Sequence, residues 1–180
     1  MDFGKRGKRG QAVMEYLITY GLALFVILIV LGILVAVVLP SLKAPESCQF
    51  TQPGFTCNQK PHALVADGSG NVRILFQLDN TQGKSVIVKG MICTTAPPGN
   101  VRKNDITLDL NKPMAAGESA TFGIVGSEVL CKNEDGTTVK LAPNSNFRGS
   151  LGIVYQFSED ITGVPPRLAV ATVTGTVQSE

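Results

Sequence analysis

The sequence predicts an α+β chain in two unequal parts, a long N-terminal apolar α-helix followed by an antiparallel β-domain of about seven or eight strands. Three observations carry that prediction. Tyr16 to Leu42 contains no charged residue, a run of 27. Farther on, short stretches of alternating apolar and polar residues are separated by turns rich in Gly, Pro, Asn and Asp. All four cysteines fall in this second part. A length of 180 residues accommodates one ordinary domain plus an extra segment, and is too short for an α/β barrel.

The first element begins with a basic head, in which Lys5, Arg6, Lys8 and Arg9 are punctuated by glycines. Leu22 to Leu39 is then wholly apolar apart from Gly32. A helix needs about 20 such residues to cross a bilayer core, so this segment is long enough. From Ala12 to Leu39 it would measure roughly 40 Å, with Pro40 and Pro45 ending it and opening a linker. Basic residues ahead of the span predict a cytoplasmic N-terminus and a head outside the membrane. A secretory signal has a shorter core, about 7–15 residues, followed by a small-x-small cleavage site. Pro40-Ser41-Leu42 is no such site. A plain signal anchor accounts for all of this except Glu15, which lies at the edge of the apolar run. A carboxylate entering hydrocarbon is costly by several kcal/mol unless it is paired, so an ionisable residue there points to function.

The stretch Lys8-Arg9-Gly10-Gln11-Ala12-Val13-Met14-Glu15-Tyr16-Leu17 resembles the class III signal sequence of archaeal type IV pilins. In that family a prepilin peptidase cuts after the glycine, here between Gly10 and Gln11, and the helix stays in the mature subunit. Glu15 then becomes the fifth mature residue, where type IV pilins generally carry a glutamate, followed by Tyr16. Val13 stands where serine is common, a departure that leaves the basic-Gly-Gln junction and the Glu-Tyr pair intact. The resemblance implies that Glu15 neutralises the new ammonium at Gln11 of a neighbouring subunit. It also implies identical or related pilin subunits, an assembly ATPase and a membrane platform protein as partners, and a β-sandwich head. The expected division is therefore a leader (1–10), a membrane and polymerisation helix (11–40), a linker (41–47) and a head outside the cell (48–180). An archaellin-type swimming-filament subunit, a minor pilin and a surface binding module on a single-pass anchor are the alternatives. The Glu15-Tyr16 pair favours the adhesion-type pilin over the archaellin.

In the head, Val72, Ile74, Phe76 and Leu78 alternate with Arg73, Leu75 and Gln77. Further strands are expected along Val86–Ile92, Ile106–Leu110, Ser119–Val125, Val129–Lys132, Leu151–Phe157 and Leu168–Val177. Many short strands with regular turns indicate a sandwich or barrel. A domain of roughly 120–130 residues has the normal size of an immunoglobulin-like sandwich. An even number of cysteines in a domain outside the cell reads as two disulfides. Three pairings are open, and Cys48–Cys57 and Cys93–Cys131 are the ones expected. A zinc site built from Cys48, Cys57 and His62 is disfavoured because the chain has a single histidine and no Cys-x-x-Cys spacing.

Catalytic chemistry finds little foothold. No GxGxxG, P-loop, HExxH or GxSxG pattern occurs, so no cofactor and no enzymatic activity are expected. His62 reads as an ordinary surface residue near a turn. Glu134-Asp135 and Glu159-Asp160 read as solvated loop charges. The net charge of +2 gives no indication of nucleic acid binding. That charge also dissolves on inspection, since the part following the helix holds 12 basic and 12 acidic residues.

Overall fold

The computed structural model describes residues 7–41, 45–57 and 62–180. Residues 1–6 of the expected leader and 42–44 of the expected linker lie outside the described residues. The chain divides into two units, Met1–Lys43 and Ala44–Glu180.

The first unit is a single helix, α1, Gly7–Ser41. Leu, Ile, Val and Ala fill it, and neither proline nor charge interrupts it between Tyr16 and Leu39. The β-branched residues lower its intrinsic helix propensity only slightly. Pro40 sits in the last turn, where its missing N–H removes one rung shortly before the helix ends. At the other end α1 takes in Gly7–Gly10, so the Gly10–Gln11 junction is helical.

The second unit contains ten strands: β1 Ser47–Phe50, β2 Phe55–Cys57, β3 Ala63–Ala66, β4 Val72–Asn80, β5 Val86–Thr94, β6 Leu108–Met114, β7 Ser119–Phe122, β8 Val129–Lys132, β9 Asn146–Phe157 and β10 Arg167–Ser179. A 3-10 turn spans Pro98–Asn100. The sequence suggested about seven or eight strands. The excess comes from β1, β2 and β3, each three or four residues long, too short to show a period.

Six strands close into a ring. β10 pairs with β3 in parallel, with Val177 opposite Leu64, and β3 pairs antiparallel with β4. β4 pairs with β8 through Ile74 and Val129. β8 joins β5 in parallel, with Cys93 opposite Cys131 and Thr94 opposite Lys132. Long antiparallel ladders from β5 to β9 and from β9 to β10 complete the circuit. The expected immunoglobulin-like plan has two separate sheets. Here the short strands β3 and β8 hydrogen-bond across both gaps, and the result is a closed six-stranded barrel. β1, β2, β6 and β7 attach outside the ring.

Strict alternation on β4 puts Val72, Ile74, Phe76, Leu78 and Asn80 inward. They meet Val86, Val88 and Met91 of β5, Leu151 and Ile153 of β9, and Ala171 and Val173 of β10 in one core. Phe55 packs edge-on to Tyr155 with ring centres 4.9 Å apart. Asn80 is a fully buried polar member of this interior. Its amide donates to the Lys84 carbonyl at 2.8 Å and the Ala115 carbonyl at 2.9 Å, and its side-chain oxygen accepts from Gln82 N–H. That satisfies a group which would be expensive to bury unpaired. A second cluster, Ile92, Val101, Val154 and Val170 with Ile106 and Leu168, lies apart from the main core. Ile106 was expected in a strand. Instead it covers Gly90, where an added Cβ would come 2.9 Å from its side chain.

Two disulfides join Cys48 to Cys57 and Cys93 to Cys131. The second staples the β5–β8 seam, which has only two residue pairs in register. His62 overturns the surface assignment. It is buried, and its Nε2 lies 3.0 Å from the Thr174 carbonyl oxygen, which requires that nitrogen to carry the proton. The missing side chain of Gly175 makes room, since a Cβ there would be 3.3 Å from the imidazole. The Glu159-Asp160 pair is likewise engaged rather than merely solvated. Asp160 accepts from the Arg167 guanidinium, which holds its carboxyl below the ordinary aspartate value, and Glu159 meets Lys84 at 2.8 Å.

β7 ends at Phe122, short of the expected Val125, because Gly123 adopts φ +82 against β4. A Cβ there would stand 1.9 Å from the Ile74 carbonyl oxygen. Gly117 has a similar φ of +78 but faces open space. Gly117→Ala should therefore cost about 1–2 kcal/mol for the left-handed backbone alone. Gly123→Ala should cost about 3 kcal/mol or more, because the β4–β7 pair must also separate. Urea unfolding of the two variants measures this, and equal losses would show that the close approach at Gly123 carries no weight.

Candidate functional site

The residues singled out for assembly lie on α1. Between Val13 and Val37 every side chain is exposed. Nineteen of them are large and apolar, from 46% exposed at Ile29 to 67% at Tyr16. This 25-residue stretch has the length and composition to cross a membrane. Its apolar residues surround the axis on all sides, the pattern of a helix whose surroundings are apolar all round.

Near its N-terminal end the surface is less uniform. Glu15 is exposed, and its carboxylate has no partner among the described residues. One turn later the Thr19 hydroxyl donates to the Glu15 main-chain carbonyl, which satisfies a polar group that hydrocarbon could not. Tyr16 and Tyr20, also one turn apart, stack with ring centres 6.1 Å apart and planes within 8°. Polar-tipped rings at this level suit a membrane–water boundary. Sequence reading singled out Glu15 and Tyr16. The roles of Thr19 and Tyr20 emerge from the helical spacing of four, a signal the sequence does contain.

Gly10 and Gln11 lie in the first turns of α1, and Gln11 precedes Glu15 by four residues. That interval is one helical turn, a rise of about 6 Å. Gly21 and Gly32 are eleven residues apart, so they share a helix face to within about 20°. Nothing lies within 4 Å of the Cβ that either could carry. Such small residues allow a neighbouring backbone to approach closely.

The four cysteines are all consumed by the two disulfides. Among the described residues, no group of three or more His, Cys, Asp or Glu side chains is arranged to hold a metal ion. Asp135 accepts from the Thr137 amide and hydroxyl within its own turn, which lowers its pKa. The adjacent Glu134 stays exposed. These two carboxylates are therefore not disposed as an acid/base pair.

The chain matches none of the known protein-family models, and no curated protein matches it significantly.

The apolar helix generates a direct prediction. An arginine near its centre, Val26→Arg, should raise the free energy of insertion by about 2.5–3.5 kcal/mol, a drop of roughly a hundredfold in the ratio of inserted to uninserted chain. Protease protection of the head in membrane vesicles reports insertion. Unchanged protection in the Val26→Arg chain would mean that α1 does not span.

Proposed function

We propose that this chain is a structural subunit of an extracellular filament of the archaeal type IV pilus kind, which polymerises through α1 after its leader is removed. The observation that carries the reading is a helix exposed and apolar over 25 residues that bears one carboxylate, Glu15, a single turn after the basic-Gly-Gln junction at Gly10 and Gln11. A plain anchor explains the apolar length but gives the carboxylate no task.

Cleavage by a prepilin peptidase between Gly10 and Gln11 leaves an ammonium at Gln11. The scissile bond lies in a helical turn, so the turn must unwind to reach a peptidase. Gly7 and Gly10 make that inexpensive, since glycine is about 1 kcal/mol poorer than alanine in a helix. Within hydrocarbon either charge alone is heavily penalised, while an ammonium and a carboxylate brought together attract strongly. Pairing Glu15 of one subunit with Gln11 of the next therefore sets the axial register of a growing bundle. An assembly ATPase and a membrane platform protein supply the work of moving the helix from lipid to sister helices. Before assembly the precursor sits in the membrane with its N-terminus in the cytoplasm; afterwards the heads lie on the cell surface and serve adhesion. In this reading the closed ring is an immunoglobulin-like β-sandwich whose two edges are sealed by β3 and β8. No enzymatic activity is assigned.

N-terminal sequencing of the protein recovered from native cells tests the proposal. A mature start at Gln11 is the expected result, and an intact start at Met1 returns the chain to the anchored-module reading. Glu15→Ala should be cleaved normally yet yield few filaments in shear fractions; wild-type filament yield from that variant would remove the register role.

A further inference from the structure

We infer that the head carries a binding site for an acidic sugar residue, in a polar cleft beyond the C-terminal ends of β5 and β8. The cleft has a volume of about 560 Å³. Its two walls meet at the Cys93–Cys131 disulfide, one being the loop 95–107 and the other the turn 132–138.

Both walls are fixed by their own bonds. In the first, Val101 and Ile106 anchor the loop in the second apolar cluster. The Asp105 carboxylate accepts from the Arg102 amide at 2.9 Å, and the Asp105 amide donates to the Arg102 carbonyl at 3.0 Å. The Thr107 amide and hydroxyl both reach the Met91 carbonyl. In the second wall, Asn133 and Thr137 bond through main chain and side chain, and Gly136 takes the left-handed conformation the turn requires. The Thr95 amide ties the walls together by donating to the Lys132 carbonyl at 3.0 Å.

The tips of these rigid walls are unengaged. Among the described residues, the Arg102 guanidinium, the Lys132 ammonium, the Asn100 and Asn104 amides and the Glu134 carboxylate have no partner, and all five side chains border the cleft. Ordered walls with unspent donors and acceptors form a polar site whose backbone is already fixed, so that only the side chains at the tips lose freedom on binding. The lining also selects among ligands. No aromatic residue borders the cleft, so a nucleobase finds no stacking face. Asp105 and Glu134 would repel a dianion such as phosphate, and two carboxylates are too few to hold a bare divalent cation. A monoanionic polyhydroxy compound fits the remainder. Arg102 and Lys132 pair with its carboxylate, while the amides and the two acidic side chains exchange hydrogen bonds with its hydroxyls. This site does not depend on the filament reading, and its test is independent of cleavage and assembly.

Ligand-observed saturation-transfer NMR on the full-length chain in detergent micelles, with glucuronate, glucose and aspartate as probes, decides the matter. Glucuronate should bind about tenfold more tightly than glucose. Arg102→Ala, at an exposed position, and Lys132→Gln should each reduce glucuronate affinity by about threefold, with a smaller effect on glucose. The thermal unfolding midpoint of each variant confirms that the head remains folded. Equal affinity for glucuronate and glucose, insensitivity to both substitutions, tighter binding of aspartate, or no binding of any probe overturns the proposal.

Discussion

Nineteen large apolar side chains between Val13 and Val37 stand exposed on α1, and the physical behaviour of this protein turns on what covers them. Each is worth about 1.5–3 kcal/mol when withdrawn from water. The helix therefore carries an unmet demand of tens of kcal/mol, larger than the net stability of an ordinary domain. Lipid meets that demand, and so do other helices of the same kind. Because lipid tails are as apolar as leucine side chains, exchanging one for the other is nearly neutral in hydrophobic free energy. Small differences can then decide between them, such as close approach at Gly21 and Gly32 or a paired charge at Glu15. A single carboxylate on such a surface matters because almost nothing else on the helix is polar.

The head solves the opposite problem. Its ring leaves no open edge within the six-stranded circuit, and its interior is filled by the alternating side chains of β4, β5, β9 and β10. Closure depends on two short parallel seams, β10 with β3 and β5 with β8. Parallel pairing is slightly weaker per residue than antiparallel pairing, and the β5–β8 seam is the one held covalently by Cys93–Cys131. The outlying strand β6 places Lys112 and Pro113 on its length, and these are residues that discourage pairing with another chain at a free edge.

How much of this could be read in the sequence depended on how local each signal was. The helix was legible because an uncharged run of 27 residues needs no tertiary context. β4 was legible because its alternation persists over nine residues. β1 to β3 were not, since three or four residues cannot display a period. Barrel closure was hidden because it rests on pairs far apart in sequence, Leu64 with Val177 and Ile74 with Val129. His62 was misjudged for the same reason, as its burial is made by Thr174 and Gly175 on β10. Arg102 and Lys132 came to a common cleft only through the β5–β8 seam, and neither residue carries a motif of its own. Glu15 stood out because an isolated charge beside an apolar run is costly wherever the fold places it.

A subunit that polymerises through α1 must pass the surface of that helix from lipid to sister helices. A photo-cross-linking amino acid placed at position 26, activated in intact cells, reads this surface in both states. Lipid adducts are expected in the membrane-bound precursor, and helix-to-helix adducts between two subunits in the assembled material. Lipid adducts alone, in cells that make the mature protein in full amount, would contradict polymerisation through α1.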